Sequence, residues 1–253
     1  MRAMANRVEI DEYLQQLLQP QAFKDYGPNG LQVEGSPEVR RIASGVTASL
    51  AFIDAAIADG ADTLIVHHGL FWRGQDGRLT GWLGARVRRL MTAGVNLFAY
   101  HLPLDAHPEL GNNAQLGLQL GLQADGRFGE QMLGFIGPAP AALCTFPALV
   151  QAARGVLGRE PVAVSGDGRT LRRVAWCTGG AQGYFENAIA AGADAFITGE
   201  ISEPQAHLAR ETGVAFIACG HHATERYGAP AVAAQVAAHF GVPHRFIEID
   251  NPA

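Results

Sequence analysis

Lysine is all but missing from this chain: of its 19 basic residues only Lys24 is a lysine. Schiff-base chemistry and the lysine of a phosphate-binding P-loop therefore have almost no candidate, and no Gly-Lys-Ser/Thr triplet occurs. Cysteine is scarce as well. Cys144, Cys177 and Cys219 are odd in number, far apart and without any C-x-x-C spacing. That pattern argues against a disulfide framework or a thiolate zinc site and suggests a reducing compartment. Charge is thin, at 17% of residues, with a net value of −5. The clustered positive surface that nucleic acid needs is lacking, so nucleic acid is not an expected partner. Met1 to Asp11 carries charges and has no apolar centre, so no signal peptide is expected. The charge-free run Met132 to Ala153 is interrupted by Pro138, Pro140 and Pro147 and loosened by Gly134 and Gly137. It reads as strand, turn and helix start, no membrane partner is expected, and the cytoplasm is the default location.

What the chain does have is apolar residues, 48% of 253, enough for one large domain or two modest ones with a substantial core. Apolar positions 8, 10, 14, 17 and 18 form a helical stripe that Pro20 ends. Gly27 to Val33 is a turn-rich opening to a strand. Arg41 to Thr47 reads as a strand, Leu50 to Ala58 as a helix stopped at Gly60, and Thr63 to Val66 as a buried strand that runs straight into His67 and His68. Arg86 to Ala93 reads as a helix, and Val95 to Tyr100 as a further strand.

The second half repeats the first. Arg173 to Ile197 follows Arg41 to Ile65 at an offset of 132, each reading strand, helix, Gly-Ala-Asp, strand. Gly213 to Ala218 answers Gly94 to Ala99 at an offset of 119. The expected fold class is α/β, built as duplicated halves, 1–125 and 126–253, so that two half-sites result. The linking segment 126–168 has its own strand, helix (Phe146 to Leu157) and strand, and its sequence leaves open whether it forms a separate lobe.

Three strand ends concentrate the chemistry. They carry His67 and His68, then His101 and Asp105, then His221, His222 and Glu225, so five of nine histidines fall in three short stretches. In open α/β sheets, ligands gather at the carboxyl ends of strands. His221 and Glu225 are four apart, which one helical turn places on a single face. His101 and Asp105 share that spacing, but Pro103 predicts an irregular loop there. Imidazole and carboxylate without thiolate suit zinc, iron, manganese, cobalt or nickel and do not choose among them. A carboxylate able to bridge, with four or more further ligands, is what a centre of two divalent ions requires. His107, His207, His239 and His244 read as ordinary surface or helix-face residues.

These motifs carry a resemblance. Gly30 to Val33, His67-His68-Gly69, Tyr100 to Pro108, Gly111-Asn112-Asn113, Gly199-Glu200 and Gly220 to Arg226 together resemble the NIF-three-like family over nearly the whole chain. Members of that family are called GTP cyclohydrolase type 2 homologues or dinuclear metal-centre proteins, and the chain looks like its short form, lacking an inserted domain. The resemblance implies three-layer α/β halves with mixed sheets, two intertwined domains, and a toroidal homohexamer. It implies that His68 and Asp105 hold one metal, His67 and His221 the other, and that Glu225 bridges them. His101 lies beside the site in that pattern and would be the catalytic, proton-handling residue; His222 belongs to the motif without being the usual ligand. Leu102 departs from the small polar residue many members carry, which bears only on the pocket lining. The implied function is a metal-dependent hydrolase of C–N bonds that uses a metal-bridging hydroxide on a small molecule such as a nucleotide. Arg73, Arg78 and Arg226 are candidates for meeting a triphosphate. The alternative is a metal-handling or regulatory binding protein without turnover.

Overall fold

Asn6 opens the first helix by accepting the amide of Val8 on its side chain, one of the hydrogen bonds a helix start leaves unmade. The computed structural model describes residues 5–253; residues 1–4, the start of the stretch read for a leader, lie outside the described residues. After β1 (Ala5–Asn6) come α1 (Arg7–Leu18), β2 (Gly30–Val33), β3 (Glu38–Val39), β4 (Ile42–Thr47), α2 (Leu50–Ala58), β5 (Thr63–His68), α3 (Gly81–Ala93), β6 (Asn96–Ala99) and α4 (Leu102–Ala106). There follow α5 (Asn112–Leu120), β7 (Gly126–Phe128), β8 (Gly134–Pro138), α6 (Phe146–Leu157), β9 (Val162–Val164), β10 (Arg173–Trp176), α7 (Phe185–Ala190), β11 (Ala195–Thr198), α8 (Glu203–Thr212), β12 (Ala215–Ala218) and α9 (His221–Thr224). The chain closes with α10 (Gly228–Phe240) and β13 (His244–Phe246).

The described residues form two compact units, one of residues 5–111 with 228–250 and one of 112–227 with 251–253. The sequence suggested a single cut near residue 125, whereas the structural units divide at 111/112 and again at 227/228. The reason is pairing: β13 lies parallel to β4, and α10 shares a buried cluster with α1, β4 and β5. Residues 228–250 thus finish the unit that residues 5–111 begin.

The first unit holds a five-stranded sheet in the order β13-β4-β5-β6-β2. Its middle strands are parallel and almost wholly buried, as expected of strands covered on both faces. One face packs with α2 and α3 through Phe52, Ile53, Leu64 and Leu90; the other packs with α1 and α10 through Ile10, Leu14, Ile65 and Val232. The second unit holds a six-stranded sheet in the order β7-β8-β10-β11-β12-β9. The linking segment is no lobe of its own: β8 pairs with β10 and β9 with β12, both antiparallel. Both sheets are mixed, and each has helices over it.

Register shows that the repeat is structural. Ser44 pairs with Ile65 and Ile65 with Phe98; 132, 132 and 119 residues later, Trp176 pairs with Ile197 and Ile197 with Ile217. Asp62 accepts the amides of Arg40 and Arg41, and Asp194 accepts those of Arg172 and Arg173. The Gly-Ala-Asp element therefore clamps the strand before it in both units.

Candidate metal centre

In the first unit the site grows from the carboxyl ends of β5 and β6. β5 ends in His67, fully buried, and His68, half-buried. Strand alternation would send them apart, yet their ring centroids lie 4.4 Å apart. His67 Nδ1 is 3.0 Å from the carbonyl of Tyr100, and His68 Nδ1 is 3.2 Å from Thr47 Oγ1. Holding one ring nitrogen in this way orients the other, Nε2, as a ligand. For His67 that atom faces Asp105 Oδ1 at 3.6 Å, too far for a good hydrogen bond.

The expected irregular loop at Pro103 is a helical turn. His101 is the N-cap of α4 and Pro103 sits in its first turn, where a missing N–H costs nothing because no intrahelical partner exists. The amide of Asp105 reaches the carbonyl of His101 at 3.2 Å, so His101 and Asp105 do sit one turn apart. Ligand atoms of His67, His68 and His101 all lie within 4.8 Å of one another, a cluster that could hold a metal ion. With Asp105 beside it, this donor set of imidazole and carboxylate fits a divalent transition metal.

Sequence reasoning missed what orients His101. Asp25 Oδ1 lies 2.7 Å from His101 Nδ1, and Asp25 Oδ2 accepts from Asn29 Nδ2 and from the amide of Leu102. Burial alone would raise the Asp25 pKa, but the hydrogen bonds from His101 and Asn29 and the His101 charge outweigh it and bring it to about 2. Asn29 Oδ1 also accepts the His101 amide at 2.7 Å, which gives the Asn-Gly turn a purpose. Gln32 Oε1 accepts the amide of Leu70, and a Cβ on Gly69 would collide with the Gln32 amide. Gly69 therefore leaves room for Gln32 behind the paired histidines. Trp72 meets His101 edge-on at 5.0 Å, and with Gly27, Pro28 and Phe71 it lines a small crevice beside His67.

In the second unit three strand ends converge on α9. His221 Nε2 lies 3.3 Å from Glu225 Oε1, as the spacing predicts for one turn. Glu200, which follows β11, holds His221 Nδ1 at 2.7 Å and in turn accepts from Gln182. Burial lowers the His221 pKa, but Glu225 and Glu200 outweigh it by hydrogen bond and charge and push it up to about 9. Glu225 is buried against Gly179, where a Cβ would strike its Oε1. Thr224 Oγ1 accepts the Gly179 amide and donates to a carbonyl of its own turn, pinning α9 to the end of β10. Glu200 was readable from the repeat, since Gly199-Glu200 stands 132 residues after His67-His68. His222 lies in the same turn, half-buried.

The remaining histidines have local duties. His107 Nδ1 accepts the Leu110 amide, His207 pairs with Glu203, His239 stacks on Tyr13, and His244 bonds Ser44. Arg78 pairs with Asp76, while Arg73 and Arg226 donate to the carbonyls of Asp25 and Leu157. Among the described residues, no helix is long and apolar enough to cross a membrane.

Residues 5–252 match the family described as Duf34/NIF3 (NGG1p interacting factor 3). A relative from Neisseria meningitidis serogroup A is 50% identical over 99% of this chain and 100% of its own length. One from Pseudomonas aeruginosa is 49% identical over 97% and 96%. Both are called GTP cyclohydrolase 1 type 2 homolog. A solved structure described as protein ybgI, of unknown function, superposes with a TM-score of 0.91 at 43% identity, over 98% of this chain and 100% of that one.

Proposed function

Because the chain belongs to the Duf34/NIF3 family, we propose that it is a dinuclear metal-dependent hydrolase acting on a C–N bond of a small molecule, with GTP the first substrate to try. In this reading His68 and Asp105 hold one divalent ion, His67 and His221 hold the second, and Glu225 bridges. Two bound ions would lower the pKa of water and polarise a substrate oxygen. The observation that carries the reading is the His67–His68–His101 cluster, backed by Asp105 and by the carboxylate of Asp25.

The residues themselves have distinct tasks. Tyr100 and Thr47 fix the rotation of the two adjacent imidazoles, so that neither ring pays the entropy of ordering when a ligand arrives. Asp25 fixes His101 through Nδ1, which leaves Nε2 to give a proton to a leaving group or take one from water. Trp72 and Phe71 form an apolar wall that limits water around it. Glu200 does for His221 what Tyr100 does for His67.

The reading includes assembly as a homohexameric ring and residence in the cytoplasm. Element-resolved metal analysis of the purified protein tests the centre, and a substrate screen with and without that metal tests the chemistry. A full metal complement with no turnover on nucleotides, esters or amides would favour a metal-handling or regulatory protein. Rapid loss of that metal to a mild chelator would favour it further.

A further inference from the structure

The internal repeat brings one more residue to the metal site. At the edge of the first sheet Gly30 pairs with Ala99, and at the edge of the second Val162 pairs with Ala218. These positions are again 132 and 119 residues apart, so β9 is the counterpart of β2 in offset as well as in topology. The loop leading into β2 is a site loop: it brings Asp25 to His101 Nδ1, Asn29 to the His101 amide, and Gly27 and Pro28 to the crevice wall. By the same offsets Gly27 corresponds to Arg159, and His101 corresponds to Gly220.

The contact agrees with that correspondence. The guanidinium of Arg159 lies over Gly220, one residue before His221, in space a side chain would otherwise fill. Gly220 has φ +97°, a conformation that also favours glycine, so position 220 accommodates Arg159 and the turn into α9 together. Arg159 is half-buried, and its neighbour Glu160 pairs instead with Arg154 at 3.0 Å. Among the described residues Arg159 forms no ion pair with a carboxylate. A partly buried cation without a counter-ion carries a desolvation cost that a ligand's charge would offset. A guanidinium offers several N–H donors in a rigid fork that matches carboxylate and phosphate oxygens. It stands at the carboxyl end of β12, where ligands of α/β sheets collect.

We infer that Arg159 is an oxyanion subsite, receiving a phosphate or carboxylate group of the molecule that reaches His221 and Glu225. The inference rests on the reading of that turn as part of the metal site, and it gives the substrate an anionic class. Arg159 binds and orients the anionic group, while the reacting bond lies nearer the histidines.

The test is calorimetric titration of the native, metal-containing protein with inorganic phosphate and, separately, with acetate. Wild type, Arg159→Gln and Arg159→Lys are compared, with metal content measured in each. Wild type should bind one of the two anions, and the tighter one identifies the group recognised. Arg159→Gln should weaken that binding by about 10-fold or more with metal content unchanged, and Arg159→Lys, which keeps the charge without the fork, should fall between. Equal binding by wild type and Arg159→Gln, or no binding of either anion by wild type, overturns the inference. If the glutamine variant does not fold, the lysine variant decides alone: unchanged binding overturns the proposal and weakened binding supports it. Should the purified protein carry no metal, the dinuclear reading fails, and the same comparison on that protein still decides the role of Arg159.

Discussion

Asp25 and His101, 76 positions apart in the chain, are joined by a 2.7 Å contact between Oδ1 and Nδ1. The carboxylate makes three further bonds, to Asn29 and to the amides of Tyr26 and Leu102, so it is fixed before it fixes the imidazole. This is the arrangement by which a carboxylate sets the tautomer and direction of a proton-handling histidine. His101→Ala should lower turnover by roughly 10²–10⁴-fold, the scale of a positioned acid or base, while both metals stay bound. Metal analysis beside steady-state kinetics checks this, and a variant that loses metal would make His101 a ligand instead.

The same carboxylate should set part of the acid stability. Its pKa of about 2 lies below the ordinary aspartate value of 3.8, so its contribution is complete above that ordinary value and lost as pH falls through about 2. Metal-free wild type should therefore be more stable than Asp25→Asn at pH 5, and the gap should close toward pH 2. Denaturant midpoints of both proteins across that range measure it, and a gap that persists at pH 2 would place the effect elsewhere.

Two metals per chain are expected, with unequal dependence on their carboxylates. Glu225→Ala should empty both positions, since its oxygens serve both ions in this reading, and Asp105→Ala should chiefly weaken one. The measurement is metal per chain by mass spectrometry after gel filtration. One metal in wild type, with Asp105 replaceable at no cost, would defeat the assignment.

His221 gives the metal affinity a pH dependence of known sign. In the metal-free protein its pKa is raised to about 9, so at neutral pH a proton must leave before the ring can bind a metal. Affinity should rise with pH toward about 9 and level off above it. The stability that charged His221 gives the metal-free protein runs the other way: complete below about 6.5, lost as pH rises through about 9. NMR titration of the ring checks both, and Glu200→Gln should move its midpoint down.

Gly179→Ala should separate the fold from the site. The added methyl would collide with Glu225 Oε1, and φ is +69°, a value costly for alanine. Metal content should drop while the circular dichroism spectrum stays that of wild type. Retention of both metals would show that Glu225 has room to move.

Much of this fold could be read in the residues. Leu50 to Ala58 and Phe146 to Leu157 are elements with the bounds that their apolar runs and stops predict, and the strand read at Thr63 to Val66 extends through both histidines. The two-residue strands β1 and β3 left no period to detect, and β7, three residues long, hides in a polar turn. Pro103 misled because proline breaks helix interiors and suits their first turn, and only the start of α4 tells the two apart. The ligand candidates announced themselves as a concentration of imidazoles. Asp25 did not, since it is a single carboxylate whose value comes from a partner 76 residues away; Glu200 showed only through its place in the repeat, not through its role on His221.

The return of residues 228–250 to the first unit has a consequence for synthesis. The histidine strand β5 is translated before residues 112–227, yet its sheet lacks the edge strand β13 and the cover of α10 until residues 228–246 follow them. Residues 112–227 have all their sheet partners as soon as they emerge. The sheet that begins first is thus completed after the other, and its apolar face with Ile10, Leu14 and Ile65 waits uncovered in the meantime. Premature release of the chain would therefore harm the early-translated half, leaving the later one whole.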